Sequence, residues 1–136
     1  MSMSVNHFKG RHSEYSLHYH IVFITKYRRK VFGDLHIARL NEIFSELLIE
    51  ADSELAECNG EADHIHLLVH ASPNTPSIAK LVNNLKAVSS RRMRHEFCDI
   101  AGAYDKPVLW SRSYFAGTCG GTPLAIVKEY IKNQGG

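Results

Sequence analysis

Apolar and aromatic residues alternate with others from Tyr15 to Thr25, placing Tyr15, Leu17, Tyr19, Ile21 and Phe23 on one side. A period of two, rich in aromatic and β-branched residues, predicts a strand. The period then lengthens: Leu40, Ile43, Phe44, Leu47, Leu48 and Ala51 recur at helical spacing and predict a helix over about Gly33–Ala51, its acidic residues outward. A short strand near Leu55–Asn59 is expected to turn through Gly60, as a hairpin, into the run Asp63-His64-Ile65-His66-Leu67-Leu68-Val69-His70. Ser72-Pro73-Asn74-Thr75-Pro76 breaks the chain, and Ile78, Leu81, Val82, Leu85 and Val88 set a long second helix. Residues 99–107 read as a loop and Tyr114–Thr118 as a last strand. Gly120-Gly121 is a flexible break before Thr122-Pro123, an N-cap followed by proline at the first helical position.

The order strand, helix, strand, strand, helix, strand, helix predicts an α+β fold. Its first six elements match a ferredoxin-like βαββαβ arrangement, an antiparallel sheet with both helices on one face, followed by a C-terminal helix. That fold hosts many activities and decides none. It leaves one sheet face uncovered. In a strand successive side chains point to opposite faces, so His64, His66, Leu68 and His70 should share the open face while Ile65, Leu67, Val69 and Ala71 pack beneath the helices.

Size changes the picture little: 136 residues, 44% hydrophobic, are one ordinary domain with a core of its own. Residues 1–136 are expected to form that single domain, with 1–13 a flexible N-terminus and 122–136 a mobile helix. No apolar run approaches the length of about 20 residues that spans a membrane, and the N-terminus lacks an apolar signal region. Three cysteines, Cys58, Cys98 and Cys119, are an odd number without zinc-type spacing and fit reduced thiols in the cytoplasm.

Charge distribution says more than the net charge of +2. Lys26, Arg28, Arg29 and Lys30 form one basic cluster, with Tyr27 inside it, and Lys80, Lys86, Arg91, Arg92 and Arg94 form another. Acidic residues gather between Asp34 and Asp63. Segregated positive charge with an interleaved aromatic is a footprint for a phosphate backbone, although a solvated helix face looks similar.

Candidate chemistry centres on His64 and His66. Residues i and i+2 of a strand lie about 6.5 Å apart, and with metal–nitrogen bonds of about 2.1 Å two imidazoles so spaced can converge on one cation. His70 is a poorer candidate. His18 and His20 show the same spacing and share the open face; they are read as structural or DNA-proximal. Two histidines do not complete a catalytic metal site. In the last helix Tyr130 and Gln134, at i and i+4, lie on one face a turn apart, beside the apolar stripe of Leu124, Val127 and Ile131. Gln134 offers an oxygen ligand to a hard cation, and the Tyr130 phenol is a possible covalent nucleophile.

Four blocks in this order carry a family resemblance: His18-Tyr19-His20-Ile21 through Lys26-Tyr27-Arg28-Arg29-Lys30-Val31-Phe32, then Ala62-Asp63-His64-Ile65-His66-Leu67-Leu68-Val69, then Leu109-Trp110-Ser111-Arg112-Ser113-Tyr114-Phe115, and finally Tyr130-Ile131 to Gln134. Over nearly its whole length the chain resembles the single-tyrosine HUH transposases (histidine, hydrophobic, histidine) of small bacterial and archaeal insertion sequences. The resemblance implies that His64, His66 and Gln134 bind a divalent metal, Mg²⁺ or Mn²⁺, and that Tyr130 is the nucleophile. It implies cleavage and rejoining of single-stranded DNA through a 5′-phosphotyrosine, and a homodimer that recognises hairpins at element ends, with Tyr130 of one subunit able to serve the other's histidines. Lys26, Arg28, Arg29, Arg91, Arg92 and Arg94 are the expected DNA contacts. Two other classes compete. A histidine-triad nucleotide hydrolase wants a third histidine where Leu68 stands, and a non-catalytic ferredoxin-like nucleic-acid binder would leave the histidines idle.

Overall fold

The computed structural model describes residues 17–73, 75 and 77–118. Strand β1 (Leu17–Thr25) ends in a 3-10 turn, Lys26–Arg28, and leads to helix α1 (Asp34–Glu50). Strands β2 (Glu54–Glu61) and β3 (His64–Ala71) follow, then helix α2 (Ile78–Glu96), a single helical turn α3 (Cys98–Ala101) and strand β4 (Trp110–Thr118). The four strands form one antiparallel sheet in the order β2-β3-β1-β4. This is the ferredoxin-like α+β arrangement, with β1 and β3 in the middle. The expected C-terminal helix, residues 122–136, and the N-terminal 1–13 lie outside the described residues.

Local chemistry explains the element ends. Gly33 opens α1, its N–H donating to His36 Nδ1 at 2.8 Å, and Ser77 caps α2 by accepting from the Lys80 N–H at 3.0 Å. Both helices place their apolar stripes on one sheet face: Leu40, Ile43, Phe44 and Leu48 of α1 and Val82, Leu85 and Met93 of α2 are buried with Ile21, Phe23, Ile65, Leu67 and Val69. Trp110 joins this core and donates from Nε1 to the buried Ser89 hydroxyl at 2.9 Å. Cys58 packs against the core, and burial pushes its thiol up to about 12, which leaves it unreactive at neutral pH.

Three boundaries differ from those the sequence pattern suggests. The β2–β3 turn is Ala62–Asp63, since Glu61 pairs with His64, and Gly60 lies inside β2. A Cβ at Gly60 would meet Ile37 Cδ1 at 2.7 Å and the His64 carbonyl at 2.9 Å, so this glycine answers a close approach and not a turn. The segment 99–107 is not wholly a loop, because α3 covers its first residues and buries Ile100. Strand β4 begins at Trp110 and not at Tyr114, held by pairing of Trp110 with Thr25 beyond a register shift in β1.

Candidate active site on the histidine strand

The alternation of β3 sends Ile65, Leu67 and Val69 into the core and turns His64, His66 and His70 to the other face. Pairing with β1 brings more histidines there: His18 opposes His70, and His20 opposes Leu68, the same-face neighbour of His66. His18 and His70 stack with ring centroids 3.9 Å apart. His20 Nδ1 lies 2.7 Å from His66 Nε2. The face is less open than the alternation suggests, for His20 is 3% and His66 4% exposed, lying against one another. Burial is the main influence on His20, holding its pKa below the ordinary value against the opposing pull of Glu57.

His64 is held differently. Its Nδ1 lies 2.9 Å from Asp63 Oδ1, while Arg28 Nη2 and Nε lie 3.2 and 3.4 Å from Asp63 Oδ2. Burial alone would raise the Asp63 carboxyl, but hydrogen bonds from His64 and Arg28, with the Arg28 charge, outweigh it and hold the group below its ordinary value. Asp63 is therefore an anion between an imidazole and a guanidinium.

The donor set on this face suits a divalent cation in part. Two imidazoles sit at i and i+2 on one strand face, and Asp63 engages Nδ1 of His64, the pattern in which the other ring nitrogen is left for a metal. Among the described residues no group of three or more His, Cys, Asp or Glu could hold a metal ion, and His64 and His66 alone would offer such an ion two nitrogens. Tyr130 and Gln134 lie outside the described residues.

The basic residues separate into distinct settings. Arg28 is engaged with Asp63. Arg29 reaches the Ala103 carbonyl through Nη1, with its guanidinium 5.4 Å from the Tyr27 ring centre and 5.0 Å from that of Tyr104. Lys26 Nζ is 5.5 Å from the ring of Tyr27, whose side chain is exposed. Arg91 and Arg94 line a cleft of about 440 Å³ together with His95, Tyr104, Asp105 and Lys106. Arg92 points toward α1, 3.1 Å from Glu46 and 3.8 Å from Glu96. Helix α2 packs on the core face, so Arg91, Arg92 and Arg94 belong to the layer on the far side of the sheet from His64 and His66.

Sequence reasoning passed over Asp63 as a partner of His64, although an acidic residue directly before the histidine pair was a visible signal. It also read Lys86 only as a member of the second basic cluster. The Lys86 ammonium donates to the Ser111 carbonyl at 2.7 Å, and burial, with Lys26 nearby, holds its pKa below the ordinary value.

Known proteins place this arrangement. The chain is 32% identical over 123 residues to the transposase of insertion sequence element IS200 from Salmonella typhimurium, spanning 90% of this chain and 80% of that protein. It is 30% identical over 126 residues to the ISDra2 transposase TnpA of Deinococcus radiodurans, spanning 93% of this chain and 89% of that one. A crystal structure of a Deinococcus radiodurans R1 protein described as a transposase superposes with a TM-score of 0.76 at 32% identity, covering 88% of this chain and 92% of the other. A REP-associated tyrosine transposase bound to a REP hairpin shares the fold, with a TM-score of 0.56 at 9% identity over 87% of this chain and 62% of that one. With the family described as "Transposase IS200 like" matching residues 3–134, the chain belongs to the IS200-like transposases, enzymes that transfer DNA strands.

Proposed function

We propose that this transposase cleaves and rejoins single-stranded DNA at insertion-sequence ends through a covalent tyrosine intermediate. The observation that carries the reading is the pair His64 and His66 on one strand face, with Asp63 engaging the far nitrogen of His64, in a chain whose family match extends to residue 134 and so includes Tyr130 and Gln134. In this reading residues 1–136 are one domain, and 122–136 form a helix that delivers Tyr130 and Gln134 together.

His64, His66 and Gln134 would hold a divalent cation, Mg²⁺ or Mn²⁺, which when bound polarises a phosphate oxygen and offsets transition-state charge. Tyr130 Oη forms a bond to phosphorus as the bond from phosphorus to the 3′ oxygen breaks. The phenol loses its proton, and the departing strand gains one to become a 3′-OH. The product is a 5′-phosphotyrosine. A second 3′-OH then attacks that phosphorus, re-forming a phosphodiester and returning the phenol, so that no external energy source is needed. Basic residues among Lys26, Arg28, Arg29, Arg91, Arg92 and Arg94 would position the backbone without reading bases. A DNA hairpin as ligand, a homodimer exchanging Tyr130 between subunits and a cytoplasmic setting complete the reading. The hairpin held by the REP-associated transposase of the same fold supports the first of these.

Incubation of the protein and of Tyr130→Phe with single-stranded hairpin oligonucleotides from element ends, with Mg²⁺ or with EDTA, tests the reading on a denaturing gel. A covalent adduct that needs both metal and Tyr130 is expected. An adduct that persists in Tyr130→Phe would remove Tyr130 from the role.

A further inference from the structure

Two consecutive residues after β1 adopt left-handed backbone: Tyr27 at φ 59° and Arg28 at φ 54°. Neither is glycine or asparagine, and such conformations persist only where their surroundings impose them. Here the surroundings do. The Arg29 N–H closes the turn onto the Lys26 carbonyl at 3.3 Å, and the Thr25 hydroxyl lies 2.7 Å from the Arg29 carbonyl and 3.2 Å from that of Asp63. The Thr25 N–H donates to the same Asp63 carbonyl at 3.0 Å. The end of β1 and the β2–β3 turn are thereby fastened together, and the guanidinium of Arg28 is directed back at Asp63.

The carboxylate of Asp63 is divided between two neighbours, Oδ2 to Arg28 and Oδ1 to His64 Nδ1. An ionised carboxylate can only accept, so Nδ1 must be the nitrogen that bears hydrogen. In the neutral imidazole Nε2 then carries the free lone pair, the atom a cation needs.

We infer that Arg28 and Asp63 form a positioning relay that fixes His64 as its Nδ1–H tautomer and presents Nε2 to a divalent cation. The inference rests on the reading of His64 as a metal ligand, and it gives Arg28 a role different from contact with DNA phosphate. Arg28, bonded to Oδ2, keeps Oδ1 aimed at His64. Asp63 in turn sets which ring nitrogen is basic. Outer partners of this kind raise ligand basicity and fix ring orientation.

The test separates the relay from the ligand reading. The tautomer of His64 is read by long-range ¹H–¹⁵N NMR on the full-length, metal-free protein, and Mn²⁺ affinity by titration followed with EPR. Wild type is expected to show Nδ1–H on His64. Asp63→Ala should lose that preference and bind Mn²⁺ about 10–100-fold more weakly, the usual effect of removing an outer partner. Asp63→Asn has one accepting oxygen where two are needed: with that oxygen on Arg28 its NH2 faces His64 Nδ1, so the ring should turn to Nε2–H and Mn²⁺ binding should weaken, while Arg28→Gln should fall between wild type and Asp63→Ala. Because Asp63→Ala could disturb the turn, Asp63→Asn and Arg28→Gln, checked by thermal melting, carry the comparison if it fails to fold. A wild type with Nε2–H on His64, or variants with unchanged tautomer and affinity, would overturn the relay. An Nδ1–H wild type that takes up no Mn²⁺ would overturn the ligand reading and leave only the orientation of the ring.

Discussion

His20 Nδ1 and His66 Nε2 meet at 2.7 Å between the two inner strands, and both side chains are buried. One nitrogen donates and the other accepts, so a single proton lies between the two rings. A nitrogen engaged in this way has no lone pair to spare, and a cation that takes Nε2 of His66 displaces His20. His20→Ala removes the partner without removing the buried imidazole behind it. Urea unfolding of that variant should show a loss of about 1–3 kcal/mol, the cost of leaving a buried polar group without its bond. Unchanged stability would show that His66 finds an equal partner without His20.

Arg92 and its neighbours should separate by experiment. Arg92 is tied to Glu46 of α1 and, within α2, to Glu96, whereas Arg91 and Arg94 face the cleft with Lys106. Arg91→Ala and Arg94→Ala should each weaken binding of single-stranded DNA similarly across sequences. Each should also lower the slope of log affinity against log salt by about 0.7, the share of one phosphate contact. Arg92→Ala should leave that slope nearly unchanged. A fall in slope for Arg92→Ala as large as for the other two would place all three on the DNA path.

A helix-to-helix pair gives a pH signature remote from the histidines. Arg39 donates to Glu96 through Nε at 2.7 Å and Nη2 at 3.0 Å, joining α1 to α2. That hydrogen bonding, with burial opposing it, holds the Glu96 carboxyl below its ordinary value of 4.5. A carboxylate with a lowered folded pKa contributes stability above the unfolded value and loses it as pH falls through the folded one. Glu96→Gln should therefore cost under about 1 kcal/mol at pH 7, as suits a solvent-accessible pair. The gap to wild type should close as the pH drops below about 4.5. Denaturant midpoints of the two proteins between pH 7 and pH 3 provide the check, and a gap that stays constant would assign the loss to packing.

Much of this fold was legible because period is a strong signal where burial is one-sided. The alternation of His64 to Val69 fixed which side chains enter the core, and the helical recurrence of Leu40 to Leu48 placed α1 to within a residue of its observed span. Gly60 misled because glycine has two uses: the turn signal was read where a close approach to Ile37 and the His64 backbone was the cause. The true turn, Ala62–Asp63, has Asp63 as its one turn-favouring residue and none of the stronger glycine, proline or asparagine signals. The pairing of Arg28 with Asp63 was beyond local pattern altogether, since its partners are separated by all of α1 and β2. The meeting of His20 with His66 likewise depends on the register of β1 against β3, which no single segment carries.

The strand order has a dynamic meaning. Among the described residues β1 and β3 are bonded on both sides, whereas β2 and β4 each have one neighbour. Opening begins where fewest bonds must break, so either border strand can peel away transiently while His20, His64 and His66 keep their places relative to one another. The histidine cluster is thus built into the inner strands, the part of the sheet expected to open last.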